Sequence, residues 1–139
     1  MDTNVVSELM RLEPDDRVLR FVDRVPVQSV WLSSITHAEI LQGVALLEDG
    51  QRKQKIARKA EQVLALFADK TCSFERRTAP HYASVIRQRR NQGRPISALD
   101  AQIAAISLQR QLILVTRNTR DFEGIGRLRL ANPWRDPPP

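Results

Sequence analysis

Two long stretches of this chain carry a single charged residue each. Across residues 25–47 it is Glu39, and across residues 96–109 it is Asp100. An ionised carboxylate inside an apolar segment costs roughly several kcal/mol unless something pairs with it. Any fold of this sequence must therefore bring a compensating group to both acids. A third carboxylate, Asp2, opens the chain in Met1-Asp2-Thr3-Asn4, ahead of residues suited to starting a helix. Three such acids in one basic domain imply a shared cation, and with it metal-dependent chemistry on a phosphate backbone.

Apolar periodicity predicts helices over residues 5–12, 18–25, 35–47, 51–68, 79–91 and 97–109. In the fourth of these, Ile56, Ala60, Val63, Leu64 and Phe67 share a face while basic residues crowd the N-terminal half. β-rich runs predict strands over 27–32, 71–74, 112–116 and 127–131. Strands alternating with helices give an α/β fold with a mostly parallel central sheet covered on both faces. Reactive groups in such sheets gather beyond the carboxyl ends of the strands. Asp2 and the turns at 33–39 and 116–121 occupy such ends, and Asp100 approaches from the first turn of its helix. Residues 1–131 read as one domain. Residues 132–139, Asn132-Pro133-Trp134-Arg135-Asp136-Pro137-Pro138-Pro139, read as an irregular proline-rich tail, with Trp134 a candidate dimer or partner contact and Trp31 a core residue.

Composition narrows the partners. With 139 residues there is room for one ordinary core, and the one cysteine, Cys72, with two scattered histidines offers neither a disulfide nor a zinc cluster. No apolar run is long enough for a membrane span and no secretory signal pattern opens the chain, so a cytoplasmic location is expected. A net charge of +6 favours a polyanionic partner.

Each acid also has a purely structural explanation. Thr36-His37-Ala38-Glu39 and Ser97-Ala98-Leu99-Asp100 fit a capping box or its near variant. Asp2 can cap the first helix, and Asp121 can cap or face solvent. Joint placement favours function. Three carboxylates converging at ~5 Å repel by roughly 3 kcal/mol per pair at an effective dielectric near 20. That approaches the whole stability of a small domain, about 5–15 kcal/mol. An all-oxygen ligand set selects Mg²⁺ or Mn²⁺, which can orient a phosphodiester and lower the pKa of a bound water. His37, two residues before Glu39, does not share its helix face. Arg87, Arg89, Arg90 and Arg94 lead toward Asp100, while Arg117 and Arg120 flank the other end of the site. They are either phosphate contacts or solvated helix faces.

Asp2-Thr3-Asn4, then Ser34-x-Thr36-x-Ala38-Glu39, then Asp100-Ala101-Gln102-Ile103-Ala104-Ala105, then Val115-Thr116-Arg117-Asn118-Thr119-Arg120-Asp121-Phe122 resemble the PIN-domain family, specifically its VapC-type toxins. The closing Asn132-Pro133-Trp134 is similar to the FitB-like branch. The resemblance spans nearly the whole chain. It implies a PIN-like three-layer fold and a Mg²⁺- or Mn²⁺-dependent endoribonuclease toxin, with transfer or ribosomal RNA as substrate. It further implies a homodimer, neutralisation by a small antitoxin, and operator DNA bound only through that antitoxin. By motif match Asp2 and Asp100 are metal ligands, and Glu39 completes the shell or positions water. Asn118 stands where relatives often carry Asp, so Asp121 is the candidate fourth acid, with Thr116 and Asn118 supporting and Arg94 and Arg117 as RNA contacts. Relatives carry apolar residues before the first Asp as the central strand. Here only Met1 precedes it, so that strand is expected to be truncated and an upstream apolar segment is expected in the native reading frame. Two other readings share these residues: a catalytically weak binding module in an operator-bound complex, and a DNA-directed nuclease.

Overall fold

In the computed structural model, which describes residues 1–137, the chain opens on a helix cap. Asp2 is extended and its Oδ1 accepts the Thr3 amide, which starts α1 (Thr3–Leu9). α1 stops short of residue 12 because Pro14 disfavours helical backbone just ahead of it, and Leu12 is 98% exposed. Buried Glu8 accepts the Asp15 amide at 3.0 Å and the Arg11 guanidinium at 3.2 Å, closing the turn into α2 (Asp16–Arg24).

The strand expected at 27–32 is largely absent. Pro26 presets a turn, and the Ser29 amide donates to its carbonyl at 2.8 Å, so Val27–Ser29 forms a 3-10 turn. Val27 is 64% exposed, and a β-branched residue without a partner strand to pack on has little reason to extend. Only Leu32–Ser33 (β1) pairs, in parallel with Thr71–Cys72 (β2). α3 (Ser34–Ala45) and α4 (Gln51–Ala65) lie between them in sequence. α4 ends before residue 68, and its buried Ala60 and Leu64 lie on the expected face.

α5 (Ala79–Asn91) ends as the sequence predicts: Gly93 takes φ +65°, a left-handed value, and donates to the Arg90 carbonyl at 3.0 Å. α6 (Ala98–Gln109) is apolar on most sides and buries Ala101, Ile103, Ala104, Ala105 and Ile106. It leads into Ile113–Val115 (β3), which pairs in parallel with Arg129–Ala131 (β4), with α7 (Thr119–Phe122) between. The α/β class holds, with seven helices and short parallel strands among the described residues.

The two strand pairs form separate sheets among the described residues. Met1 and Asp2 bridge them. The Met1 ammonium donates to the Trp31 carbonyl at 2.7 Å on one side, and the Asp2 amide donates to the Val115 carbonyl at 2.9 Å on the other. A cavity of about 260 Å³ is lined from both sheets by Met1, Leu32, Cys72, Ile106, Leu114 and Val115. Burial of the Met1 ammonium lowers its pKa to about 6. Trp31 borders this cavity and is half-buried.

Trp134 is not a free contact residue. It is 7% exposed and packs with Val5 and Val18, while its amide donates to Asn132 Oδ1 at 3.0 Å. Asn132 is itself buried and donates to the Arg117 carbonyl, so this part of the expected tail is tied to the core. Pro138 and Pro139 of that tail lie outside the described residues.

Candidate active site

Asp2 is 5% exposed and anchors the site. With Oδ1 on the Thr3 amide, its Oδ2 accepts from the Thr116 hydroxyl at 2.6 Å and from Asn4 Nδ2 at 2.7 Å. Thr116, at the end of β3, is fully buried and gives its one hydroxyl proton to Asp2. Its lone pairs then take the Asn118 amide at 3.0 Å and Asn4 Nδ2 at 3.1 Å. Asn4 Oδ1 in turn accepts the Arg117 amide at 3.0 Å. The opening triplet and the β3 exit loop therefore hold one another in register.

Glu39 is not part of a capping box. α3 is capped one turn earlier, where Ser33 Oγ accepts the Thr36 amide at 2.9 Å. Glu39 instead reaches α1, where the Thr3 hydroxyl donates to its Oε2. At α6 the capping signal is half realised. Ser97 Oγ accepts the Asp100 amide at 3.0 Å, but the Asp100 carboxylate takes the Ser97 hydroxyl at 2.7 Å.

These acids sense one another. Burial first, then the charges of Asp2 and Asp100, push the Glu39 pKa up against the opposing Thr3 hydrogen bond. Burial likewise raises Asp100, helped by Asp2 and Asp121 and opposed by Ser97. Asp121 is exposed on α7, and Asn118 is exposed at its start without a side-chain capping bond. The charge of Asp2 thus acts on both Glu39 of α3 and Asp100 of α6, and that of Asp121 on Asp100. Among the described residues no group of three or more His, Cys, Asp or Glu is arranged to hold a metal ion.

The donor chemistry nonetheless fits a hard cation. It is all oxygen, its members repel, and the hydrogen bonds fall on one oxygen each of Glu39 and Asp100, leaving Oε1 and Oδ1 without a protein donor among the described residues. Of the basic candidates, Arg117 lies over the Trp134 ring at 5.1 Å, and Arg94 spends a donor on the Arg120 carbonyl at 3.2 Å. Thr3, Asn4 and Ser97 were not singled out as site residues from sequence. Their signals were present: Thr3 and Asn4 adjoin Asp2, and Ser97 stands three residues before Asp100.

The PIN domain model matches residues 1–128 of this α/β chain, and the chain belongs to that family. Within it, the chain is similar to Toxin FitB of Neisseria gonorrhoeae, with 38% identity over 98% of both chains. It is 35% identical to a VapC ribonuclease of Sinorhizobium fredii over 96% of both chains. Among solved structures, FitAB bound to a DNA fragment superposes with a TM-score of 0.90 at 37% identity, covering 97% of this chain and 94% of that one.

Proposed function

We propose that this chain is a divalent-metal-dependent endoribonuclease toxin that hydrolyses RNA phosphodiester bonds and is neutralised by a small antitoxin. The observation that carries this reading is the geometry that joins distant parts of a PIN-family sequence: Thr3, beside Asp2, donates to Glu39, and Thr116 donates to Asp2. Asp2 and Asp100 are the proposed ligands of Mg²⁺ or Mn²⁺. The cation, when bound, polarises the scissile phosphate and lowers the pKa of a water. Glu39 completes the ligand set or holds the attacking water through Oε1, since Thr3 occupies Oε2. Thr116 and Asn4 keep the Asp2 carboxylate oriented, so its charge is presented in one direction. Asp121 supplies a fourth acid, Asn118 orients water, and Arg94 and Arg117 contact RNA phosphates.

Family membership supports the rest of the partner set: transfer or ribosomal RNA as substrate, a homodimer, and operator DNA engaged through the antitoxin. The likeness to a FitAB–DNA complex is in keeping with it. The decisive experiment is cleavage of RNA by the purified chain with Mg²⁺ or Mn²⁺, against Asp100→Asn. Cleavage should need the metal and vanish in the variant; survival in Asp100→Asn would identify a contaminating nuclease.

The neutral Asn118 favours a second reading, a weakly catalytic module acting in a regulatory complex. Calorimetry separates the two. A working nuclease binds Mn²⁺ in a carboxylate-dependent way, and a module without a functional site does not.

A further inference from the structure

Two surface grooves adjoin through the shared lining residues Arg17, Trp134 and Arg135, and together make a channel whose lining also includes Asp136. One end is bordered by Asn118, Arg120 and Asp121, the acid whose charge acts on Asp100. The other is bordered by Arg20 and Arg24 on α2. Resting on the nuclease reading above, we propose that this channel binds the sugar–phosphate backbone of the RNA strand on one side of the scissile bond.

Three features bear on what this channel can hold. First, its arginines are largely uncommitted, as are most arginines among the described residues. The ion pairs among the described residues leave Arg20, Arg24, Arg117, Arg120 and Arg135 without a carboxylate within 4.0 Å. Arg17 is the exception, held by Asp15 at 2.7 Å. Second, they are aligned. Arg17, Arg20 and Arg24 repeat at helical spacing, so Arg20 and Arg24 stand about one turn apart on one face of α2 and point into the same channel. Third, the channel is partly pre-organised. Arg117 is pinned over the buried Trp134 ring, and Arg135 donates to the Thr119 hydroxyl at 3.2 Å. A guanidinium fork held in place loses less freedom on taking a phosphate oxygen.

The chemistry selects the ligand. A row of unpaired arginines leading from a cluster of acids suits a polyanion that needs neutralising everywhere except at the reacting phosphate. Arg94, which follows α5, donates to the Arg120 carbonyl, a neutral partner that leaves its charge beside the channel. Neither terminus of the strand nor any base is read by such contacts, and the binding is sequence-tolerant.

The test uses the full chain carrying Asp100→Asn, which suppresses cleavage, and a labelled single-stranded RNA titrated at 50–200 mM salt. A groove variant adds Arg20→Gln, Arg24→Gln and Arg135→Gln. A control removes the same charge from α4 through Arg52→Gln, Lys55→Gln and Arg58→Gln, all exposed. The groove variant should make the slope of log affinity against log salt shallower by about 2, so that the parent's advantage in affinity shrinks roughly fifteenfold between 50 and 200 mM. The control should change the slope by less than half as much. Equal effects of both variants, or none in the groove variant, overturn the channel while leaving the nuclease reading intact. Failure of the parent chain to bind RNA, together with no cleavage by the wild type, overturns both.

Discussion

Thr116 has no exposed surface, yet three polar groups meet at its hydroxyl: the Asp2 carboxylate, the Asn4 amide and the Asn118 backbone amide. Thr116→Val keeps the shape and removes the hydroxyl. It leaves a buried carboxylate short of a donor, and should cost about 2–3 kcal/mol in urea unfolding, because hydrogen bonds to charged groups are the strong ones. Thr116→Ser should recover most of that. Equal losses in the two variants would mean that packing of the methyl, not the hydrogen bond, carries the effect. The acids of this site were legible in the sequence because a lone charge in an apolar run is costly and so conspicuous. The groups that orient them were not, since a threonine or serine among many carries no such signal. Glu39 shows the difference. Its Thr36-x-x-Glu39 spacing suggested a capping box, but two hydroxyl residues precede Thr36, and only the fold decides that Ser33 is the one that caps.

Among the elements, the long helices were readable to within a few residues at their ends, because caps and stop signals are local; α5 matches residue for residue. The strands were readable only where partners exist, and the run at 27–32 failed for want of one. The gap between the two strand pairs has a measurable consequence. The Met1 ammonium is buried there with a pKa lowered from 8.0 to about 6. The folded state therefore binds fewer protons than the unfolded chain between those values, and stability rises with pH across that window. Below about pH 6 both states are protonated and the penalty is complete. Two units correspond to about 2–3 kcal/mol. N-terminal acetylation removes the charge, so the difference in urea midpoint between acetylated and free chains should be large at pH 6 and close at pH 8.5. A difference independent of pH would show that the ammonium is hydrated. Adding three apolar residues ahead of Met1 should flatten the same pH dependence and also raise the melting temperature, since side chains entering the 260 Å³ cavity each bury area worth roughly 1.5–3 kcal/mol. An unchanged melting temperature would mean that the extension does not enter the gap.

The whole molecule carries opposite electrostatic demands: a net charge of +6 with some of its arginines in a surface channel, and a set of acids that raise one another's cost of ionisation at Glu39 and Asp100. Such a set stores instability until a cation answers it, which makes stability itself a reporter of the site. Asp100→Asn removes one repelling charge while its side-chain oxygen can still accept the Ser97 hydroxyl. Without metal the variant should be the more stable protein, by about 1 kcal/mol after allowing for the solvent that reaches a half-buried group, or about 3 °C in melting temperature. With Mn²⁺ the order should reverse. A ligand at a hundred times its Kd adds about 2.7 kcal/mol to a chain that binds it only when folded, and the variant has lost a proposed ligand. The crossing is the informative result, because an acid serving only to cap α6 would make the substitution neutral or destabilising with and without metal. Melting curves of both chains in chelator and in saturating Mn²⁺ decide it. Parallel curves, with Mn²⁺ shifting both proteins equally, would assign the ion to some other surface and leave Asp100 a structural residue.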